Sequence, residues 1–367
     1  MDASFLPFRT ICVIAAVLVF YSAFGASQEE FLFTVQCDGR ESGSGFLMAD
    51  SEGAWMVSND HVVRNDGVIR FVGMLDDTRV YTLPETIEVA ANRDAVRFKT
   101  EETNGFLLAE TSFFDETVFA FGNSDGLGVI TKSEGKVVGK GRGEIEVTCD
   151  IISGNSGGPV LNESNEVVGV ATFTVTGSSV KVAVELSGNV SAAERERLAE
   201  KIKTRQGTRY LEARRFAVPL HDAEWQPVAL EIFQQESESY EKIDDRYARF
   251  NKTVTTVFRC RSISSENEDI FSRSWIKKYN QNLYEYGYHD AESGRYYYRS
   301  GRKDSFDRAF GKWMENLSQT ATCLAEEFRT EAEELTVLYY KNETRDYADN
   351  LNAKSRNLMD VARKYGR

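Results

Sequence analysis

A serine set among glycines and followed by a proline, Gly154-Asn155-Ser156-Gly157-Gly158-Pro159, comes just after the strand-like run Ile145-Glu146-Val147-Thr148-Cys149. Glycines permit backbone conformations barred to other residues and allow close approach of another chain, so the spacing predicts a tight turn that presents the hydroxyl. The amides of Gly154 and Ser156 would face one hollow, an oxyanion hole suited to the charge that develops on a carbonyl under attack. A serine hydroxyl is a weak nucleophile without a base. His61 is the best placed of three histidines, because it follows the strand-like Trp55-Met56-Val57-Ser58 and precedes Val62-Val63. The base in turn needs a buried carboxylate to fix its tautomer. Asp94, opening the run Ala95-Val96-Arg97-Phe98, fits. Asp76 and Asp77 fall in a hairpin turn, and Asp60 adjoins the histidine, where neighbouring side chains of an extended chain diverge.

The elements that must position these residues are short strands. Between Glu30 and about Leu220 they include 31–37, 45–48, 55–58, 68–74, 80–83, 95–98, 117–121, 129–131, 135–138, 145–149, 159–161, 167–173 and 180–184, separated by Gly, Asn and Asp. So many strands at this spacing indicate an all-β barrel or sandwich architecture. One helical insertion, 187–214, interrupts them and opens on the capping box Ser191-Ala192-Ala193-Glu194. After Pro227 the text becomes charged, aromatic and helical. Leu317, Ala321, Leu324 and Phe328, then Ala332, Leu335 and Leu338, recur at the steps of one helix face and read as a bundle core. Tyr296-Tyr297-Tyr298 reads as rings packed at a helix-loop junction, with a binding surface as the other possibility.

The order His, Asp, Ser with G-N-S-G-G-P resembles the chymotrypsin/trypsin-like serine proteases, and most closely the bacterial HtrA/Deg-like branch. The likeness covers about residues 31 to 220. It includes Gly43-Ser44-Gly45-Phe46, Ser58-Asn59-Asp60-His61-Val62-Val63, Asp94-Ala95-Val96, Val118-Phe119-Ala120-Phe121-Gly122-Asn123, Gly126-Leu127-Gly128, Val167-Val168-Gly169-Val170 and Phe216-Ala217-Val218-Pro219. The resemblance implies a chymotrypsin-like double β-barrel and a serine endopeptidase in which His61, Asp94 and Ser156 form the triad. A mainly α-helical C-terminal domain stands where such relatives carry a PDZ domain. The resemblance also implies that Asp150, six positions ahead of Ser156, lies at the floor of the pocket for the residue before the scissile bond. A carboxylate there would favour cleavage after Lys or Arg. The HtrA-like spacing points instead to small apolar residues, and both preferences stay open.

The organisation expected is a signal peptide over 1–25, a trypsin-like protease domain over 26–220 and an α-helical domain over 221–367. Arg9, the apolar run 11–24 and Ala23-Phe24-Gly25 make up the leader, and the apolar run falls short of the roughly 20 residues that span a bilayer. A secreted or periplasmic protein is expected, with no stable membrane span once the leader is removed. Cys37, Cys149, Cys260 and Cys323 remain, and their even number in an oxidising compartment predicts disulfides Cys37–Cys149 and Cys260–Cys323, one within each domain. The net charge of −13 argues against a nucleic-acid partner. No metal or cofactor is expected; the partners are protein or peptide substrates and whatever the helical domain binds. The competing reading is a partner-binding exported protein in which the helical domain works and the protease-like fold is inactive scaffold.

Overall fold

Alternation of side chains along each strand sorts the β part into separate cores. In the computed structural model, which describes residues 27–64, 67–126, 128–141, 143–175, 214–289 and 295–365, Leu47 and Met56 face one apolar cluster. Their neighbours Phe46, Met48, Trp55 and Val57 face a second. Val160 and Val168 likewise enter a third cluster, while Leu161 and Val167 enter the second. A period of two buries both faces of these strands, which is why they are rich in Val, Phe and Ala and poor in charge. The leader 1–25 and the insertion as far as residue 213 lie outside the described residues, as does the strand expected at 180–184.

The first seven strands are β1 (Leu32–Cys37), β2 (Arg40–Asp50), β3 (Gly53–Ser58), β4 (Ile69–Gly73), β5 (Val80–Thr82), β6 (Thr86–Ala90) and β7 (Val96–Lys99). They pair antiparallel in the order β5-β4-β1-β2-β3-β7-β6, with the one-turn helix α1 (Asp60–Val63) after β3. The next set comprises β8 (Phe106–Leu108), β9 (Thr117–Asn123), β10 (Ile130–Lys140), β11 (Ile145–Val147), β12 (Pro159–Asn162), β13 (Glu166–Val175) and β14 (Arg214–Val218). Six of these close into a ring, because β9 pairs with β10 and β12, β10 with β11, β11 with β14, and β13 with both β14 and β12. β8 runs parallel to β2 and β13 and joins the two halves. The runs 129–131 and 135–138 are one strand, not two. Gly135 does not break it; it lets the chain at Thr148 and Cys149 pass where a Cβ would collide with the Cys149 amide.

The sheet continues beyond residue 220: β15 (Trp225–Ala229) adds to β6 and leads into the helical part. This part consists of α2 (Leu230–Phe258), α3 (Arg273–Tyr286), α4 (Lys303–Glu334) and α5 (Leu338–Tyr365), with a small hairpin of β16 (Gly287–His289) and β17 (Tyr296–Tyr298). Leu317, Ala321, Leu324, Phe328 and Ala332 are buried along α4 as the periodicity predicts. Leu335 joins the same core although the helix ends before it, and only Leu338 departs from the expected stripe. Leu335 is extended, and Leu338 opens α5 with its side chain exposed. Glu236 of α2 caps the start of the next helix, its carboxylate accepting from the amides of Thr336 and Val337. The tyrosine run is a strand, with Tyr296 and Tyr298 packed against Phe306. Phe33, Leu47 and Phe71 belong to one continuous core with Phe233, Tyr240 and Tyr340, so the helices are packed on the first β half. No described helix is long and apolar enough to cross a membrane.

The expected disulfides are not formed: Cys37, Cys149, Cys260 and Cys323 are free thiols. Cys149 is sealed in the closed ring, where its thiol donates to the Val118 carbonyl and burial raises its pKa to about 11. Cys37 lies at the end of β1, against a different core. Cys260 follows the last turn of α2, whereas Cys323 is exposed on α4. Even parity alone does not bring sulfurs together; pairing needs Cα atoms within about 7 Å.

Candidate functional site

The end of β3 and the turn before β7 bring His61 and Asp94 together. Ser58 Oγ donates to the Ser44 carbonyl at 2.8 Å and fixes the strand end, and Asn59 Nδ2 donates to the Asp94 carbonyl at 2.6 Å. The His61 amide then donates to Asp94 Oδ1 at 3.1 Å, and His61 Nδ1 lies 2.6 Å from Asp94 Oδ2. Thr172 Oγ1 donates to the same Oδ2 at 2.8 Å. A carboxylate so placed accepts a hydrogen bond from Nδ1–H, which fixes that tautomer and leaves Nε2 as the basic nitrogen. Burial opposes the charge on Asp94, but the facing imidazole and these hydrogen bonds outweigh it and hold its pKa below the ordinary value. Burial would lower the pKa of His61; the charge and hydrogen bond of Asp94 prevail and raise it.

The serine turn is built by exclusion. Gly154 and Gly157 have φ of 89° and 87°, and a Cβ on them would collide with the carbonyls of Asn123 and Ser44, respectively. Gly158 is equally confined by the Phe121 carbonyl. Ser44 locks the turn: its amide donates to the Ser156 carbonyl at 2.8 Å and its hydroxyl to the Gly154 carbonyl at 2.7 Å. Gly43 makes this possible, since a Cβ there would lie 2.8 Å from the Ser156 carbonyl. Among the described residues the amides of Gly154 and Ser156 donate to no protein acceptor. The Ser156 hydroxyl donates to the Thr172 carbonyl at 2.7 Å, and no hydrogen bond joins it to His61. Thr172 therefore touches both Asp94, through its side chain, and Ser156, through its backbone.

The other aspartates are engaged elsewhere. Asp76 caps Thr78 in the β4–β5 turn. Asp60, fully buried, points to Tyr340 of α5 and to Arg64. The Asp150 side chain is largely exposed and forms an ion pair with Arg215 of β14 at 2.7 Å. Thr172 and Ser44 are site residues that the reading of the sequence did not single out; Thr172 carries no pattern of its own, and Ser44 appears only within the family-like Gly43-Ser44-Gly45. Among the described residues no group of three or more His, Cys, Asp or Glu could hold a metal ion.

Residues 43–170 match the family model described as a trypsin-like peptidase domain. The chain is 32% identical over 168 residues to a probable periplasmic serine endoprotease DegP-like of Rhizobium meliloti (strain 1021), covering 41% of this chain and 32% of that one. It is 32% identical over 149 residues to the Chlamydia muridarum protein of the same description, covering 37% and 29%. Among solved structures, the serine endoprotease from Yersinia pestis is similar at 21% identity and a TM-score of 0.33, over 44% of this chain and 62% of that one. The chain spans about a third of the length of these curated relatives.

Proposed function

We propose that the protein is a serine endopeptidase that cleaves protein or peptide substrates through an acyl-enzyme. Ser156 Oγ attacks the scissile carbonyl carbon while His61 Nε2 takes its proton. The amides of Gly154 and Ser156 receive the oxyanion, and His61 returns the proton to the departing amine. Water then enters by the same route in reverse and releases the acid. Asp94 stays ionised throughout and stabilises the imidazolium. The observation that carries this reading is the short His61–Asp94 hydrogen bond, with Thr172 linking that pair to Ser156. The names of the relatives agree with it, and also favour a secreted or periplasmic location.

For specificity, a Lys or Arg of the substrate would have to displace Arg215 from Asp150. We therefore favour small apolar residues before the scissile bond. The test of the reaction is labelling by a serine-reactive fluorophosphonate, with Ser156→Ala as the control. Stoichiometric label on the wild type and none on the variant is expected, whereas a folded wild type that takes no label overturns the proposal.

A further inference from the structure

The residue beside the base is an aspartate that the reaction above does not use. Asp60 is wholly buried, and Tyr340 Oη donates to its Oδ1 at 2.7 Å across 280 positions of sequence. Its Oδ2 has no hydrogen-bond partner, although Arg64 Nε lies 3.6 Å away. A buried carboxylate in this state costs stability unless its partners stay in place. Tyr340 is itself buried, stacked on Tyr240 at 4.8 Å and on Phe233 at 6.1 Å between centroids. The Arg64 guanidinium sits 5.3 Å from the Tyr240 ring centre. Two further bonds cross from the helices to the same region: Asn342 Nδ2 donates to the Ala91 carbonyl at 2.9 Å, three residues before Asp94, and Ser237 Oγ to the Arg64 carbonyl at 3.2 Å. The segment carrying the base is thus tied to α2 and α5, and the segment carrying its acid to α5.

We infer that the helical part is a positioning element of the peptidase site, and that Tyr340 acts on His61 through the Asp60 carboxylate. The inference rests on the proposed role of His61 as base. It gives the helices a task in catalysis, and it means that a partner moving the start of α5 would change the base. Tyr340 and Asp60 are positioning residues, since neither touches the reacting atoms.

The charges around this joint fix the sign. Burial pushes the pKa of Asp60 up to about 6; Asp94 pushes the same way, while Arg64, Tyr340 and His61 oppose it. Ionised Asp60 in turn favours protonated His61, and Arg64 disfavours it. From the helices, Glu241 approaches Arg64 at 3.9 Å. Tyr339, Asp244 and Glu343 line a cavity of about 550 Å³ together with Asp94 and Glu144. None of these is altered by removing the Tyr340 hydroxyl. Its loss raises the Asp60 pKa further, so Asp60 takes up a proton at higher pH and favours protonated His61 less, which lowers the His61 pKa.

The test is an NMR titration of the three histidines in the full chain, wild type against Tyr340→Phe and Asp60→Asn. Both variants keep the shape of the joint. We expect His61 to move down by roughly 0.5 unit or more in each, with His221 and His289 unmoved and the double variant no further shifted than Asp60→Asn alone. The fluorophosphonate labelling rate should fall about 3- to 10-fold on its plateau, with its acid limb displaced to lower pH. A His61 titration unchanged in both variants overturns the inference even when the wild type labels normally. A shifted His61 in a chain that never labels upholds the joint and removes the peptidase reading instead.

Discussion

The two halves of the site are made in opposite ways. On the side of the proposed base, charged and polar side chains form two adjacent groups, His61–Asp94–Thr172 and Tyr340–Asp60–Arg64, and Thr172, Asp60 and Tyr340 are buried. On the nucleophile side, Gly154, Gly157 and Gly158 shape the backbone through the absence of side chains, and Ser44 clamps it. The first half is held by electrostatics and should respond to pH and to isosteric changes of charge. The second is held by sterics and should respond to a single added methyl group. A site divided in this way can have its base tuned from the helical part without disturbing the serine turn.

The largest effect expected is the loss of either reacting group. Ser156→Ala or His61→Ala should lower kcat by roughly 10⁴- to 10⁶-fold, and the double variant should be little worse because the groups act as a unit. Asp94→Asn follows at about 10⁴-fold, since the wrong tautomer of His61 would face the serine. Peptide hydrolysis under single-turnover conditions measures all three; comparable losses that simply multiplied would break the triad reading.

Next come the glycines. Gly154→Ala or Gly157→Ala drives a methyl group into a carbonyl at a backbone angle that alanine rarely adopts. The cost should be about 2–4 kcal/mol of stability, along with most of the labelling. Thermal melting and the labelling rate should fall together. A stable, fully reactive Gly154→Ala would show that the turn is not held by exclusion and erase the contrast between the halves.

Thr172→Val separates the halves most finely, because it removes a hydrogen bond to Asp94 and leaves the carbonyl that meets Ser156. About a 10-fold loss in kcat with KM little changed is expected. The pH behaviour has two opposing parts. The proposed reaction needs neutral His61, whose pKa is raised, so activity should fall as pH drops through a value above the ordinary 6.5. Stability from protonated His61 runs the other way: it is fully present below its unfolded pKa and lost as pH rises through the folded one. Stability from Asp94, whose pKa is lowered, is present above its unfolded pKa and lost as pH falls through the folded one. Thr172→Val should weaken that last contribution, which pH-dependent denaturation can read.

Much of this was legible before the structure. The succession of strands follows from alternation and the tight turn around Ser156 from glycine placement, both local properties. The stripe from Leu317 to Ala332 follows from helical periodicity. What escaped depends on contacts between distant segments. Thr172 is one polar residue in an apolar strand, and its role appears only when β13 lies beside Asp94. Asp60 looked like a bystander because its partner, Tyr340, is far along the chain. The break between α4 and α5 has its cap, Glu236, on another helix, where no local pattern shows it. The cysteine pairing failed for the same reason: counting residues does not measure the distance between a sealed barrel interior and the end of β1.

The smallest effect concerns Asp150, and it tests whether the serine side carries a charge that matters. If the pair with Arg215 were a receptor for basic side chains, Asp150→Ser should abolish cleavage after Lys and Arg. The geometry argues otherwise. Arg215 holds the carboxylate at 2.7 Å, and the Asp150 side chain is 74% exposed, so most of the interaction is screened by water. Removing it should cost less than about 1 kcal/mol of stability. Cleavage of a peptide library, read by mass spectrometry, should keep the same preference for small apolar residues, with kcat/KM changed by no more than about 3-fold. Loss of basic cleavage in the variant would restore Asp150 to the pocket floor and place a functional charge on the side of the site that otherwise works by shape.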